Sequence, residues 1–201
     1  MEEFATKTED IIKLSEEDLN ANLDQLEDCI ATLENNLEKL IKPKKRRWFG
    51  LRQDTGVNWF EGAGIGNCGA VVTNYLDDKN LIEYQERSAK VWAQAILKVC
   101  GHYHHMVGPA MVANAKISEK QGNIDRVKEI CKAIVQDFET PLVQCEKHEF
   151  KPDREDEDFE SIKSLEYALD KLIKYGEGTK KLDALEDRVR KIWLKPEYSE
   201  E

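Results

Sequence analysis

Apolar residues recur at alternating steps of four and three through Leu19, Leu23, Leu26, Ile30, Leu33, Leu37 and Leu40. That spacing keeps one seam of a helix turned toward a partner. Ser15 can cap the start, Asp18 is a weak reciprocal capping residue, and Pro43 ends the stretch. The pattern predicts one heptad helix over 15–43, about 40 Å long. Its outer face is acidic through Asp24, Glu27, Asp28, Glu34 and Glu38. The expected counterpart is the last helix, where Leu182, Leu185, Val189 and Ile192 run beside Lys180, Lys181, Arg188, Arg190 and Lys191.

The rest of the chain divides by the same criterion. Ile11, Ile12 and Leu14 make residues 1–14 a short lead-in to the arm over 1–43. Residues 44–78 lose the period: six glycines fall between Gly50 and Gly69, and Trp48-Phe49 and Trp59-Phe60 stand among them. Glycine at that density predicts an irregular connection, pinned by buried aromatics. The helical period returns over 79–150. Leu81, Tyr84, Ser88, Val91, Trp92, Ala95, Ile96, Val99 and Tyr103 share one face; Ala110–Lys120 stops at Gly122; Ile124, Val127, Ile130, Cys131 and Ile134 lead to an end near Phe138, before Pro141. Residues 151–160 form an acidic linker. A final hairpin over 161–195 sets Ile162, Leu165, Leu169 and Leu172 against the last helix, joined at Gly176 and Gly178. The fold class that follows is mainly α, a helical bundle or array of hairpins.

Ala115, Gly122, Asn123 and Val127 occupy the positions where a tetratricopeptide repeat places its small residues and its turn. Residues 110–140 thus resemble one such unit, and the resemblance implies a peptide-binding scaffold. At the neighbouring offsets Ser88 and Asp156 stand where the turn glycine would be.

Composition narrows the class. Lys and Arg number 30 against 40 Asp and Glu, a net charge of -10, so contact with nucleic acid or anionic lipid must be local. No apolar run is long enough to span a membrane, and Met1-Glu2-Glu3-Phe4 is acidic where a signal peptide is basic, which predicts a cytoplasmic protein. Five scattered cysteines, three of them at apolar helical positions, predict reduced core thiols.

Three constellations carry candidate chemistry. Gly64-Ile65-Gly66-Asn67-Cys68-Gly69 spells the dinucleotide fingerprint, and the run from Gly62 to Val72 looks like the first turn of flavin-binding Rossmann proteins, with Glu83 where a ribose-binding acid would stand. The resemblance implies a flavin or nicotinamide cofactor at Gly64, Gly66 and Gly69. Read from the residues alone, Asn58 and Glu61 sit where a buried strand should be continuously aliphatic, and the stretch reads as a glycine-rich loop. Cys100 and His104 lie one helical turn apart and Cys145 and His148 three residues apart, enough for a tetrahedral zinc site; the alternative is that Cys100 and Tyr103 are core and the histidines a partly exposed helix end. Third, Lys44, Lys45, Arg46 and Arg47 run into Trp48 and Phe49. Cations followed by aromatics suit an acidic protein surface, then anionic lipid, then single-stranded nucleic acid, and four adjacent cations also resemble a nuclear-import signal. No Glu-x-x-His pair, His-Glu-x-x-His motif, Walker loop or Gly-x-Ser-x-Gly elbow is present. The reading is a non-enzymatic interaction or scaffold protein, with the cluster 44–49 as its partner-binding site.

Overall fold

The computed structural model describes residues 2–41, 59–100, 106–148, 152 and 157–195; the side chains of 2, 59, 100, 148 and 157 are outside that description. Among the described residues there are nine helices and no strand, the mainly α class that the periodicity predicts. They form two compact units, Met1–Gly101 and His102–Glu201.

The first unit contains α1 (Glu2–Ile12), α2 (Glu16–Ala21), α3 (Leu23–Ile41), α4 (Trp59–Tyr75) and α5 (Ile82–Cys100). The heptad stretch is therefore two helices, a correction to the single long one. The interruption falls at Asn22, whose side-chain amide donates to the Asp18 carbonyl at 2.7 Å while its own carbonyl accepts from the Gln25 N–H at 3.0 Å. A short polar side chain that bonds its neighbours' backbone competes with the helical ladder. The cap at Ser15 forms: its hydroxyl accepts from the Asp18 N–H and donates to the Asp18 carboxylate. The seam residues Leu19, Leu26, Ile30, Leu33 and Leu37 are buried, and the partners that cover them come from the same unit. α3 packs on α1, α4 and α5, meeting Ile65, Val72, Leu76, Val91 and Ala95 in one core. This corrects the expected pairing with the last helix. Arg87 of α5, in place of α9, supplies the cation for the acidic face of α3.

The glycine-rich stretch is also corrected: from Trp59 on it is α4, not a loop. Its single charged residue is Glu61, and it packs on α1, α3 and α5. Gly62, Gly66 and Gly69 follow one face, steps of four and three apart, and that face lies directly on α5. Glycine costs about 1 kcal/mol against alanine inside a helix, and the close approach of two backbones offsets this through contact. Phe60 of the second aromatic pair is not buried as expected, being 71% exposed; the Trp59 side chain and the first pair, Trp48 and Phe49, lie outside the described residues. Trp92 and Ala95 do lie inside, as the stripe predicts.

The second unit contains α6 (Val107–Lys120), α7 (Ile124–His148), α8 (Glu157–Lys174) and α9 (Lys180–Trp193). α6 and α7 meet at Gly122, whose φ of 73° only glycine takes without strain; Asn123 then accepts the Arg126 N–H to start α7. α7 does not end near Phe138. It runs through Pro141, because Phe138, Leu142 and Cys145 continue the buried face on either side of the proline and hold the helix against its neighbours. Packing here outweighs the missing N–H.

The two units share one plan. In the first, α1 packs on α3 and α4, α3 on α4 and α5, and α4 on α5; in the second, α6 packs on α7 and α8, α7 on α8 and α9, and α8 on α9. The buried seams agree in spacing: Leu26, Ile30, Leu33 and Leu37 on α3, Val127, Cys131, Ile134 and Phe138 on α7. Each unit ends in a helix whose arginine grips two glutamates one heptad apart, Arg87 with Glu27 and Glu34, Arg188 with Glu139 and Glu146.

Candidate functional site

Lys44, Lys45, Arg46, Arg47, Trp48 and Phe49 lie outside the described residues, so the site is built from what flanks them. α3 ends at Ile41 and α4 begins at Trp59, and these two ends are neighbours: a β-carbon added at Gly62 would stand 3.1 Å from Leu40 Cδ2. The same position meets Val99, which brings the C-terminal end of α5 to this place. Lys39 and Lys98 stand in the last turns of α3 and α5, where the helix dipoles favour cations. Ile41, at the end of α3, is 41% exposed, and Phe60 is the most exposed apolar residue of α4. The basic segment therefore leaves and rejoins the unit at an end where exposed Ile41 and Phe60 stand among Lys39 and Lys98 and the carboxylates of Glu38 and Glu61.

The glycines of the dinucleotide fingerprint are inside a helix. Gly66 faces Ile96 and Gly69 faces the backbone of Ser88 and Trp92, while Gly64 lies at ordinary contact distance from the Phe4 ring. A phosphate cradle needs a turn between strand and helix, with N–H groups aimed outward; here the segment is already helical and its glycines face neighbouring helices. Of the zinc candidates, His104 and the side chains of Cys100 and His148 lie outside the described residues. Cys145 is buried in α7, and its carbonyl accepts from Lys195 at 3.3 Å. Among the described residues no group of three or more His, Cys, Asp or Glu is arranged to hold a metal ion. For the tetratricopeptide-like stretch, Ala115 and Val127 are buried across the α6–α7 turn.

The electrostatics of the described residues tie helices together. Glu119, in the last turn of α6, accepts two bonds from Lys171 at 2.9 and 2.8 Å, one from Lys174 at 3.0 Å and one from the Tyr175 hydroxyl. These donors hold its carboxyl down at about 2, the Lys171 bond contributing most. Arg87 reaches Glu27 at 2.6 Å and Glu34 at 2.7 Å, which raises its pKa and lowers that of Glu27. Arg188 acts likewise on Glu146 at 2.7 Å. Burial pushes the thiols of Cys29 and Cys68 up and that of Cys131 to about 11, so these cysteines are protonated near neutrality and poor nucleophiles. The free thiols expected from the sequence are found at Cys29, Cys68, Cys131 and Cys145.

The arginine clamps and the Glu119 cluster escape a sequence reading for different reasons. The paired glutamates have a visible signal, one heptad of spacing on the same helix. Lys171 and Glu119 have none, because their elements meet only in the folded unit. In comparisons with known proteins, no family model, curated protein or solved structure matches this chain.

Proposed function

We propose that this chain is a non-enzymatic helical interaction or scaffold protein whose basic–aromatic cluster, Lys44 to Phe49, engages an acidic protein surface. The observation that supports this reading is the end of the first unit, where apolar Ile41 and Phe60 are exposed on either side of the segment. Cations that catch a partner by charge and aromatics that bury on contact divide steering from affinity. The α6–α7 hairpin, with its likeness to a tetratricopeptide unit, serves in this reading as a second surface for peptide. A cytoplasmic setting fits, with nuclear entry if the cluster also acts as an import signal. No helix among the described residues is long and apolar enough to cross a membrane.

The test replaces Lys44, Lys45, Arg46 and Arg47 by alanine in the full chain. Binding is measured to a polyglutamate peptide, to phosphatidylserine vesicles and to a single-stranded oligonucleotide, and partners are recovered from a cell extract. The expected result is an unchanged melting temperature, peptide binding that salt weakens, and loss of both the peptide and the recovered partners in the variant. Identical partners with and without the four charges would overturn the reading, and preference for vesicles or oligonucleotide would replace the protein partner.

A further inference from the structure

Two thiols converge on one buried hydroxyl in the first unit. α1 and α4 run side by side in the same direction, for the Phe4 ring lies against Gly64 and the Tyr75 hydroxyl donates to the Leu14 carbonyl at 2.6 Å. Thr8 and Cys68 stand one helical turn beyond Phe4 and Gly64, and they meet in their turn. Cys29 reaches the same place from α3, its sulfur 3.8 Å from the Thr8 oxygen. The Thr8 hydroxyl donates its only hydrogen to the Phe4 carbonyl at 2.8 Å, so toward sulfur it acts as an acceptor, and both thiols bond it. One oxygen thus gathers a sulfur from α3 and a sulfur from α4. Cys29 is fully buried there, while Cys68 is partly open to solvent. The second unit has no such pair among its described residues, since Cys131 and Cys145 lie about 21 Å apart along one helix.

We infer that Cys29 and Cys68 are a modification site, a thiol pair that a peroxide converts to a reversible disulfide locking α3 to α4. The two helices pack directly on each other. Helix axes at about 8–10 Å bring inward-facing α-carbons, each about 2.3 Å off its axis, to within about 4–6 Å, which is the span of a disulfide. Cys68 reacts first because solvent reaches it. Its sulfur takes one peroxide oxygen as the O–O bond breaks, giving a sulfenic acid and one water. The Cys29 sulfur then displaces that hydroxyl, which leaves with the Cys29 proton as the second water. The two thiols give up two electrons and two protons in all, and the peroxide accepts them. Burial keeps both thiols in the protonated, slow-reacting form, so the pair answers sustained oxidation and not a brief pulse. The bond would close residues 30–67 into a ring that contains the basic segment. The inference concerns α3 and α4 alone and holds whether or not that segment binds a protein.

The test exposes the full folded chain to hydrogen peroxide and maps it without reduction, by proteolysis and mass spectrometry. The expected result is a peptide that joins Cys29 to Cys68, lighter by the hydrogens lost, and restored to two peptides by dithiothreitol. The oxidised first unit should melt roughly 10 °C or more above the reduced one, because the bond closes a loop of about 40 residues in the unfolded chain. The second unit should melt where it did before. Both effects should vanish in Cys68→Ala and in Cys29→Ala; the mapping itself uses the unsubstituted chain, so it decides the matter even if a variant fails to fold. Recovery of Cys29 and Cys68 unjoined, as free thiols or as separately oxidised residues, would overturn the inference. So would a cross-link that lowers the melting temperature, since it would show that the two sulfurs meet only in a distorted unit.

Discussion

Gly69→Ala is the sharpest test of how the first unit is held together. A β-carbon at this position would lie 2.9 Å from the Trp92 nitrogen, 3.0 Å from the Ser88 carbonyl oxygen and 3.2 Å from the Trp92 α-carbon. All three are backbone atoms of α5, so no side chain can rotate away and the helices must separate. Overpacking costs about 1–3 kcal/mol, and contacts with backbone belong at the upper end. Alanine returns about 0.8–1 kcal/mol of helix propensity, leaving a net loss of about 2 kcal/mol. At Gly64 the same carbon meets only the Phe4 ring, at 3.6 and 3.7 Å, which is ordinary contact; Gly64→Ala should therefore gain about 1 kcal/mol. Gly66→Ala falls between, because the nearest atoms are the Ile96 side-chain carbons at 2.6 and 3.0 Å, and an isoleucine can shift. Thermal unfolding of the full chain, followed by far-ultraviolet circular dichroism and calorimetry, should show the first unit melting about 8–16 °C lower in Gly69→Ala and about 4–8 °C higher in Gly64→Ala. The opposite signs are the content of the prediction. If both variants move together, or Gly69→Ala melts with the unsubstituted chain, α4 does not approach α5 as closely as described.

In the second unit, the Tyr167 hydroxyl is buried without a hydrogen-bond partner among the described residues, and burial raises its pKa. Tyr167→Phe should raise stability by about 1 kcal/mol in denaturant titration, and a loss would show that the hydroxyl is satisfied. Glu119 has its folded pKa depressed from 4.5 to about 2, so its contribution is complete above the unfolded value and disappears as pH falls through the folded one. Glu119→Gln should then cost on the order of 1 kcal/mol at neutral pH, after discounting for the carboxylate's partial exposure, and should converge with the unsubstituted chain near pH 2; a constant gap across pH would assign its role to shape.

What the sequence made legible follows from the range of the interaction. Leu26, Ile30, Leu33 and Leu37 announce a seam because their period is local, and Gly122 announces a turn because a positive φ is a single-residue property. The identity of the seam's partner is not local. Acidic residues on α3 called for a cation, and the local pattern pointed to the last helix; the folded unit supplies Arg87 and Lys7 instead. The glycines of α4 show the same limit in a stronger form. By propensity they break a helix, and the stabilisation that keeps them helical is contact with α5, whose residues lie elsewhere in the chain. Pro141 stays within α7 for a similar reason: Phe138 and Leu142 are anchored on both sides of it. As for the candidate sites, the glycine fingerprint was a pattern of letters whose required strand is absent among the described residues, and the basic cluster was visible as charge alone.

The shared plan of the two units bears on what that charge is for. In the first unit the seam helix α3 is followed by a segment containing Lys42, Lys44, Lys45, Arg46 and Arg47; in the second, the equivalent α7 is followed by one containing Glu149, Asp153, Glu155 and Asp156. One arrangement of helices therefore closes with a predominantly basic connection in one unit and an acidic one in the other. If the fold demanded a cationic segment after its seam helix, the second unit would carry the same sign. The cations at 44–47 are thus free to be set by something outside the packing of the unit. That is why their removal should leave the melting temperature unchanged while binding is lost. A large fall in melting temperature in the four-alanine chain would break this argument, since it would mean that the basic segment holds the first unit together in a way the second unit does without.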